Sequence, residues 1–410
     1  MSFAKRMWRA WRRIVSSALR PALLSTFLVF ASGVAWAGQN GSGIRIGTMA
    51  PGPLDLITDV AGVKVGQVTK ISGEGPLVPG NGPVRTGVTV VVPDDDIWND
   101  RVAAATYDLN GNGELSGAHW VDEAGFLEVP VALTNTLNVA RVDDGVIDWL
   151  IARHPLIGIR DDVPLPVVAE CDDQGLNDIQ GRHVSARDTV AALQGAATGT
   201  FARGGVGAGT GMRAFGFKAG IGSASRVTSR DAGTYTVGVL VNANTGDRSE
   251  LRIDGVPVGK ELQNVDKPIY PSHAYRPRNG RAADGSIIIV IATDAPLDHR
   301  QLVEIGKRAA LGLARTGATS HVSSGDLFIA FSTTNRYPRN GPKKPVALVD
   351  DDETMNELFS ATIEGTEAAI DDALFSAKTM TGESGVTLFA LPLDRVKASL
   401  AEHRMLQPVR

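Results

Sequence analysis

The residues that most restrict the fold of this chain lie at a junction near position 286. Residues 287–291 form an unbroken run of β-branched side chains, which favours a strand buried on both faces. The preceding segment, 255–284, contains several prolines and charges and is typical of an exposed connector. Between the two stands the small pair Gly285-Ser286. The sequence therefore predicts that solvated chain enters the core abruptly, at a serine.

A self-cleavage reaction would explain a serine at this junction. Attack of the Ser286 hydroxyl on the carbonyl of Gly285, followed by hydrolysis of the ester, would leave Ser286 at a new N-terminus. That residue would then have both a hydroxyl and a free amine able to accept a proton near neutral pH. Glycine before the nucleophile suits this reaction because it tolerates strained backbone. The simpler alternative is that the Gly-Ser pair only opens a strand.

Four other side chains are candidates for the same site. Ser324 and Asp326 are two residues apart at the start of another apolar strand, so both should point to one face, where a hydroxyl and a carboxylate can relay protons. Glu170 ends the apolar run VVAE, and a carboxylate there could hold an ammonium group. Asn244 follows a strand predicted to end at Asn242, and its amide could donate to an oxyanion. Turn or capping chemistry is the alternative for each.

Other kinds of site are disfavoured by residue spacing. The glycine-dense segment 202–226 fits neither phosphate-binding pattern, and we expect either a mobile loop or backbone packed around a small ligand. Residues 108–119 copy the opening of a calcium loop, but His119 stands where a bidentate glutamate is needed. The histidines have no paired metal-ligand spacing, and no GxSxG motif occurs. The sequence therefore predicts no metal site.

The first 37 residues have the pattern of an export signal. A basic start with six Lys or Arg and no acid precedes an apolar stretch that ends at Ala35-Trp36-Ala37. The stretch is too short to span a bilayer, so we expect export, to the periplasm, without a stable membrane anchor. Without the leader the formal net charge changes from -4 to about -10, which argues against a nucleic-acid partner. The single cysteine, Cys171, excludes an intrachain disulfide.

The rest of the chain alternates strands and helices. Strands are expected at four β-branched segments, residues 87–93, 129–134, 163–170 and 234–242. Helices are expected at residues 186–195, from Pro296 to Gly317, and along an apolar stripe from Met355 to Leu374. This alternation predicts a layered α/β protein.

Six segments together resemble one known enzyme family. They are DDQGLNDIQGRHV (172–184), GGVGAGTGM (204–212), LVNANTGDR (240–248), DGSIIIVIATDAPL (284–297), RAALGLARTG (308–317) and SSGDLFIAFST (323–333). In this order they resemble the family of L-aminopeptidase D-amidase/D-esterase and the β-peptidyl aminopeptidases, over nearly all of the chain after the leader. The resemblance implies a four-layer α/β/β/α sandwich of the N-terminal-nucleophile-like type, self-processing and without a cofactor.

The resemblance also implies how the chain is divided. Cleavage between Gly285 and Ser286 would give an α chain, residues 38–285, and a β chain, residues 286–410. The αβ units of the family assemble as tetramers, so a homotetramer of αβ heterodimers is expected.

Individual roles follow residue by residue from the same resemblance. Ser286 matches the nucleophile, Ser324 and Asp326 match the second serine and the acid, and Glu170 matches the acid that binds the substrate amine. Asn244 matches the oxyanion asparagine, with Asn242 left as an alternative. A tyrosine implicated in some relatives has no match, since the corresponding region reads Gly-Arg-His at 181–183.

We therefore expect an exported serine aminopeptidase that removes the N-terminal residue from short peptides, amino acid amides or esters through an acyl-serine intermediate. Whether it accepts D- or β-amino acids stays open, as does its physiological substrate. One alternative is an acyl transferase of the ornithine-acetyltransferase type, which passes the acyl group to an amine instead of water. Another is an exported binding protein in which the serine has no catalytic use.

Overall fold

Fourteen strands and seven helices are found in a computed structural model that describes residues 42–229, 234–272, 274, 285–343 and 346–406. The strands are β1 Lys64–Ser72, β2 Val84–Val92, β3 Asp100–Gly111, β4 Phe126–Leu127, β5 Val131–Thr134, β6 Val167–Glu170, β7 Arg213–Ala214, β8 Phe217–Lys218, β9 Ile221–Val227, β10 Thr236–Asn244, β11 Ser286–Thr293, β12 Gly325–Pro338, β13 Met380–Thr381 and β14 Thr387–Leu388. The helices are α1 Ala118–Ala124, α2 Val139–Arg153, α3 Ala186–Gln194, α4 Val258–Glu261, α5 His299–Arg315, α6 Asp352–Phe375 and α7 Leu393–Leu406.

Two parts of the prediction lie outside the described residues. These are the leader, residues 1–37, and the last part of the connector, residues 275–284. The described part of the connector contains the short helix α4. Every helix in the described ranges is too short or too polar to cross a membrane.

Two sheets form the middle of the fold. The smaller has the strand order β1-β2-β5-β6, and the larger has the order β4-β3-β12-β11-β10-β9. Strand β11 pairs with β10 antiparallel and with β12 in parallel. Its side chains alternate between two cores. Ile288 and Val290 contact residues of the smaller sheet, whereas Ile287, Ile289 and Ile291 belong to the cluster that includes α5 and α6. The predicted burial of this strand on both faces is confirmed.

Helices cover the outer faces of both sheets. Helices α2 and α3 pack on the smaller sheet, and α5 and α6 pack on the larger one. Helix α5 begins at a capping box, in which Asp298 accepts a hydrogen bond from the N–H of Gln301. One face of the helix is buried in the core through Leu302, Ile305, Ala309 and Leu313. The predicted α/β/β/α layering is therefore observed.

All four predicted strands are present with shifted limits, and two of these shifts concern residues of the candidate site. The strand expected at 163–170 contains only Val167–Glu170, because residues 163–166 include two prolines that interrupt ladder pairing. The strand expected to end at Asn242 continues to Asn244, which pairs directly with Ser286. Asn244 thus lies on a strand and not in the turn after it.

The glycine-dense segment 202–226 is part of the folded core, so the expectation of a mobile loop was wrong. Most of it is buried, and it includes a short 3-10 turn, Gly207–Gly209, and the start of β9. Its glycines allow other backbone to approach closely. A methyl group on Gly222 would overlap the carbonyl oxygen of Ala369 and lie 2.5 Å from the amide nitrogen of Ala373, both on α6. The absence of a side chain at Gly222 therefore lets α6 contact the sheet.

Replacing Gly222 with alanine should lower the free energy of unfolding by about 3 kcal/mol, because the added methyl overpacks the contact between β9 and α6. Urea denaturation followed by circular dichroism measures the change. Gly111→Ala is the matched control, since Gly111 also lies in a strand but has open space around the added methyl. The control should change stability by less than about 0.5 kcal/mol. Equal losses in both variants would contradict the close-approach explanation.

Candidate active site

The predicted nucleophile, Ser286, is the first residue of the central strand β11. It is buried, and it pairs with Asn244 of β10 on one side. On the other side its Oγ accepts a hydrogen bond of 3.3 Å from the backbone N–H of Gly325. The hydroxyl therefore lies between two neighbouring strands, next to the residue that separates Ser324 from Asp326.

Ser324 and Asp326 form the hydrogen-bonded pair that their spacing predicted. The Ser324 hydroxyl donates to Oδ1 of Asp326 over 2.7 Å, and both side chains are buried. Burial raises the pKa of Asp326, and the hydrogen bond from Ser324 opposes that rise. Strand β12 begins at Gly325, so Ser324 lies one residue before the strand.

Two asparagines hold the backbone that leads to Ser324. Asn110 donates to the carbonyl oxygen of His321 over 2.6 Å, and Asn112 donates to that of Ser323 over 2.6 Å. From the sequence this DLNGNG segment was interpreted only as a possible calcium loop, and its role beside Ser324 was missed. Two asparagines at a spacing of two, at the end of a strand, were the available signal.

Glu170 brings a carboxylate from the smaller sheet to the same place. It ends β6 and is buried, with Oε1 accepting from the N–H of Glu114 at 3.1 Å and Oε2 accepting from the Thr136 hydroxyl. A methyl group on Gly113 would lie 3.3 Å from Oε1 of Glu170 and 3.6 Å from Cα of Gly325. Gly113 therefore lies between this carboxylate and the start of β12, beside Ser286. Burial raises the pKa of Glu170, and its two hydrogen bonds oppose the rise.

The amide of Asn244 is held at both ends. Its Oδ1 accepts from the backbone N–H of Arg213 at 3.2 Å, and its Nδ2 donates to the carbonyl oxygen of Asp172 at 3.0 Å. An amide nitrogen has two N–H groups, so one is left for a further acceptor. Asn242 pairs with Ile288, two residues further along β11 than Ser286. The register therefore favours Asn244 over Asn242 as the donor near the nucleophile.

A buried carboxylate fixes the loop that follows Glu170. Asp173 accepts hydrogen bonds from Asn135, at 2.9 and 3.1 Å, and from Asn177 at 2.9 Å. Burial raises the pKa of Asp173 to about 7. The loop holds the Asp172 carbonyl that accepts from Asn244, and Gly113 packs against both Glu170 and Gly325, so the five predicted side chains lie in one region.

This set of groups can perform acyl transfer to a hydroxyl. A serine oxygen is available as nucleophile, an amide N–H can stabilise an oxyanion, and a hydroxyl-carboxylate pair can orient protons. A separate carboxylate can hold a positively charged amine. Cys171 is fully buried, and burial raises the pKa of its thiol well above the ordinary value, which removes it as a nucleophile.

Solved structures with the same fold define the class of protein. The chain is similar to a β-aminopeptidase of Burkholderia sp., with a TM-score of 0.79 and 40% identity over 89% of this chain and 98% of the other. It is also similar to the L-aminopeptidase D-Ala-esterase/amidase of Ochrobactrum anthropi, with a TM-score of 0.79 and 35% identity over 90% of this chain and 99% of that one. The latter is a prototype of the serine aminopeptidases and a variant of the Ntn hydrolase fold. The fold is thus that of an N-terminal-nucleophile serine aminopeptidase, as predicted.

The chain belongs to peptidase family S58, whose family model matches residues 55–388. It is 44% identical over 391 residues to the β-peptidyl aminopeptidase BapA of Sphingosinicella xenopeptidilytica, covering 94% of this chain and 96% of that protein. The expectation of a hydrolase that acts on peptide bonds is therefore confirmed, and self-cleavage is consistent with the family.

Thr136→Val should raise the pKa of Glu170 further, because it removes a hydrogen bond that stabilises the carboxylate. If that carboxylate binds the substrate amine, the acid limb of the kcat/KM profile moves to higher pH, and activity falls more at pH 6 than at pH 8. Hydrolysis of an amino acid p-nitroanilide across this range measures the shift. Thr134→Val is the control, because the Thr134 hydroxyl donates to the Gly87 carbonyl and not to Glu170. Identical profiles for Thr136→Val and wild type would contradict this coupling.

Proposed function

We propose that this protein is a self-cleaving aminopeptidase that releases the N-terminal residue from short peptides and amino acid amides through an acyl-Ser286 intermediate. The observation that carries the proposal is the position of Ser286. Ser286 is the buried first residue of β11 and pairs with Asn244 of β10. Its hydroxyl oxygen accepts a hydrogen bond from the N–H of Gly325, which lies between Ser324 and Asp326.

The first reaction is cleavage of the chain itself. The Ser286 oxygen attacks the Gly285 carbonyl carbon, the C–N bond breaks, and an ester joins the two residues. Water then hydrolyses the ester, which leaves a carboxylate on Gly285 and a free amine on Ser286. Close packing supports glycine at this position, since a methyl group on Gly285 would overlap the carbonyl oxygen of Asn244. Close approach, and not a left-handed backbone, is the reason for glycine here.

The second reaction is hydrolysis of the substrate. Glu170 binds the substrate's ammonium group and so places the first carbonyl beside Ser286. The Ser286 hydroxyl attacks that carbonyl while its proton passes to the Ser286 amine, with Ser324 oriented by Asp326 to assist the transfer. The free N–H of Asn244 donates to the developing oxyanion. The nitrogen of the scissile bond takes the proton back from the Ser286 amine and leaves with the rest of the substrate. Water then hydrolyses the acyl-Ser286 ester and releases the N-terminal residue.

We extend the substrate class to peptides that begin with a β-amino acid. The relative at 44% identity is a β-peptidyl aminopeptidase, and it is matched along 94% of this chain. A β-amino acid has one more carbon between amine and carbonyl. Glu170 of β6 and Ser286 of β11 come from different sheets, so the distance between the amine site and the nucleophile is set by the packing of the two sheets.

Export, tetramer formation and esterase activity toward D-amino acids are also part of the proposal. The basic and apolar leader with its Ala-x-Ala end supports export and removal of residues 1–37. The likeness to the Ochrobactrum esterase/amidase supports activity on D-alanyl esters. Four αβ units in one assembly would give about four times the mass of one cleaved chain in light scattering.

Intact-mass spectrometry of the purified protein should find two polypeptides, residues 38–285 and 286–410. Ser286→Ala should give a single chain from residue 38 onward with no hydrolytic activity, because both reactions need the same hydroxyl. Cys171→Ser is a control with a comparably small change at a buried residue outside the reaction, and it should be cleaved and active. A cleaved and active Ser286→Ala protein would refute the assignment.

Glu170→Gln should be cleaved normally but should bind substrates weakly, because the neutral amide loses the charge that attracts the ammonium group. We expect KM for an amino acid amide to rise at least about tenfold, from the roughly 1.5–3 kcal/mol of a charge-assisted hydrogen bond. Glu114→Gln is the matched control, since it keeps the backbone hydrogen bond from Glu114 to Glu170 and removes only a weak charge repulsion between the two side chains. A wild-type KM in Glu170→Gln would exclude this role.

A further inference from the structure

A buried lysine lies close to the candidate active site and has no part in the mechanism above. Lys218 is the one fully buried lysine in the described ranges. Its Nζ donates to three backbone carbonyl oxygens, those of Gly209 at 3.1 Å, Met212 at 2.8 Å and Ala219 at 2.5 Å. An ammonium group has three N–H donors, so all are used. Burial lowers the pKa of Lys218 to about 7, so the ammonium form that serves all three carbonyls predominates below that pH.

One peptide group connects this ammonium to Asn244. The peptide between Met212 and Arg213 accepts from Lys218 through its carbonyl and donates to Oδ1 of Asn244 through its N–H, at 3.2 Å. A charged donor on the carbonyl polarises the same peptide's N–H, and hydrogen bonds in such a chain strengthen one another. The far end of this chain is the Asn244 amide, whose remaining N–H faces no acceptor of its own in the described residues.

A short hairpin fixes the geometry of the connection. Strands β7 and β8 pair Arg213 with Lys218 at the open end of the hairpin, which places Lys218 beside the peptide that it binds. The N–H of Phe215, at the tip of the hairpin, donates to the carbonyl of Thr245 at 2.8 Å. The hairpin is therefore attached by a hydrogen bond to the residue directly after Asn244.

We infer that Lys218 is a positioning residue, which orients and polarises the Asn244 amide through the Met212–Arg213 peptide and so strengthens its hydrogen bond to the oxyanion. The inference rests on the oxyanion role of Asn244 in the proposed function. A neutral or apolar residue would fill the same space without the cost of burying a charge. The alternative role is purely structural, in which Lys218 only anchors the glycine-rich segment 202–226.

A double-mutant cycle separates the two roles. Lys218→Met, Asn244→Ala and the double variant are purified, the cleaved fraction is measured by gel, and kcat and KM for an amino acid amide are referred to that fraction. We expect Lys218→Met to lower kcat about tenfold with KM within about twofold of wild type, because the lost interaction acts on the transition state. In the Asn244→Ala background the same substitution should change kcat by less than about twofold.

Each other outcome identifies what fails. The same tenfold loss in both backgrounds, or a wild-type kcat for Lys218→Met, would overturn the inference and leave the proposed function intact. A wild-type kcat for Asn244→Ala would remove the oxyanion role itself, and with it the inference. If Lys218→Met does not yield folded protein, Lys218→Gln replaces it in the same cycle, since it keeps two N–H donors but no charge.

Thr210→Val is the matched control. The buried Thr210 hydroxyl donates to the Gly207 carbonyl at 2.6 Å, within the same glycine-rich segment but away from the Met212–Arg213 peptide. The variant should therefore lose stability without a change in kcat. A tenfold loss of kcat in Thr210→Val would show that any loosening of the segment lowers activity, which would overturn the specific role of Lys218.

Discussion

The fold depends on a strand that is apolar on both faces and polar only at its two end residues, Ser286 and Thr293. Strand β11 lies between β10 and β12, and its isoleucines fill two cores, one toward the smaller sheet and one toward helices α5 and α6. A slip of this strand by one residue would move every side chain into the other core and would take Ser286 out of its pairing with Asn244. The hydroxyl of Ser286 is therefore fixed relative to Asn244 and Gly325 by packing that lies entirely elsewhere.

The second sheet completes the site, and it does so through backbone contact. The end of β6 lies near the start of β12, where Gly113, which has no side chain, packs between Glu170 and Gly325. Carboxylates buried at such a contact need hydrogen-bond donors. Glu170 accepts hydrogen bonds from the Thr136 hydroxyl and the Glu114 N–H. Asp173 accepts them from the side-chain amides of Asn135 and Asn177. The polar groups of the site are thus held in a hydrogen-bond network that spans both sheets.

The sequence predicted those features that depend on local periodicity. The alternation of apolar side chains and the helix-capping residues located α3, α5 and α6, and the spacing of two located the Ser324-Asp326 pair. Residues whose partners are distant in the chain were missed. Lys218, Asn110 and Asn112 act through backbone carbonyls, which no residue pattern records. The expectation of a mobile loop at the glycine-dense segment was wrong for the same reason. Its glycines are needed where distant elements approach the backbone closely, which the local sequence does not record.

The order of strands in the larger sheet determines what happens to a chain severed before Ser286. Strands β11 and β12 would belong to one product, whereas β10 and β9 on one flank and β3 and β4 on the other would belong to its counterpart. The C-terminal piece would be interleaved with the N-terminal piece, bordered by it along both edges. Dissociation would require breaking the backbone hydrogen bonds of β11 with β10 and of β12 with β3. Cleavage would therefore change the chemistry of Ser286 while the two products stay folded together as one cooperative unit.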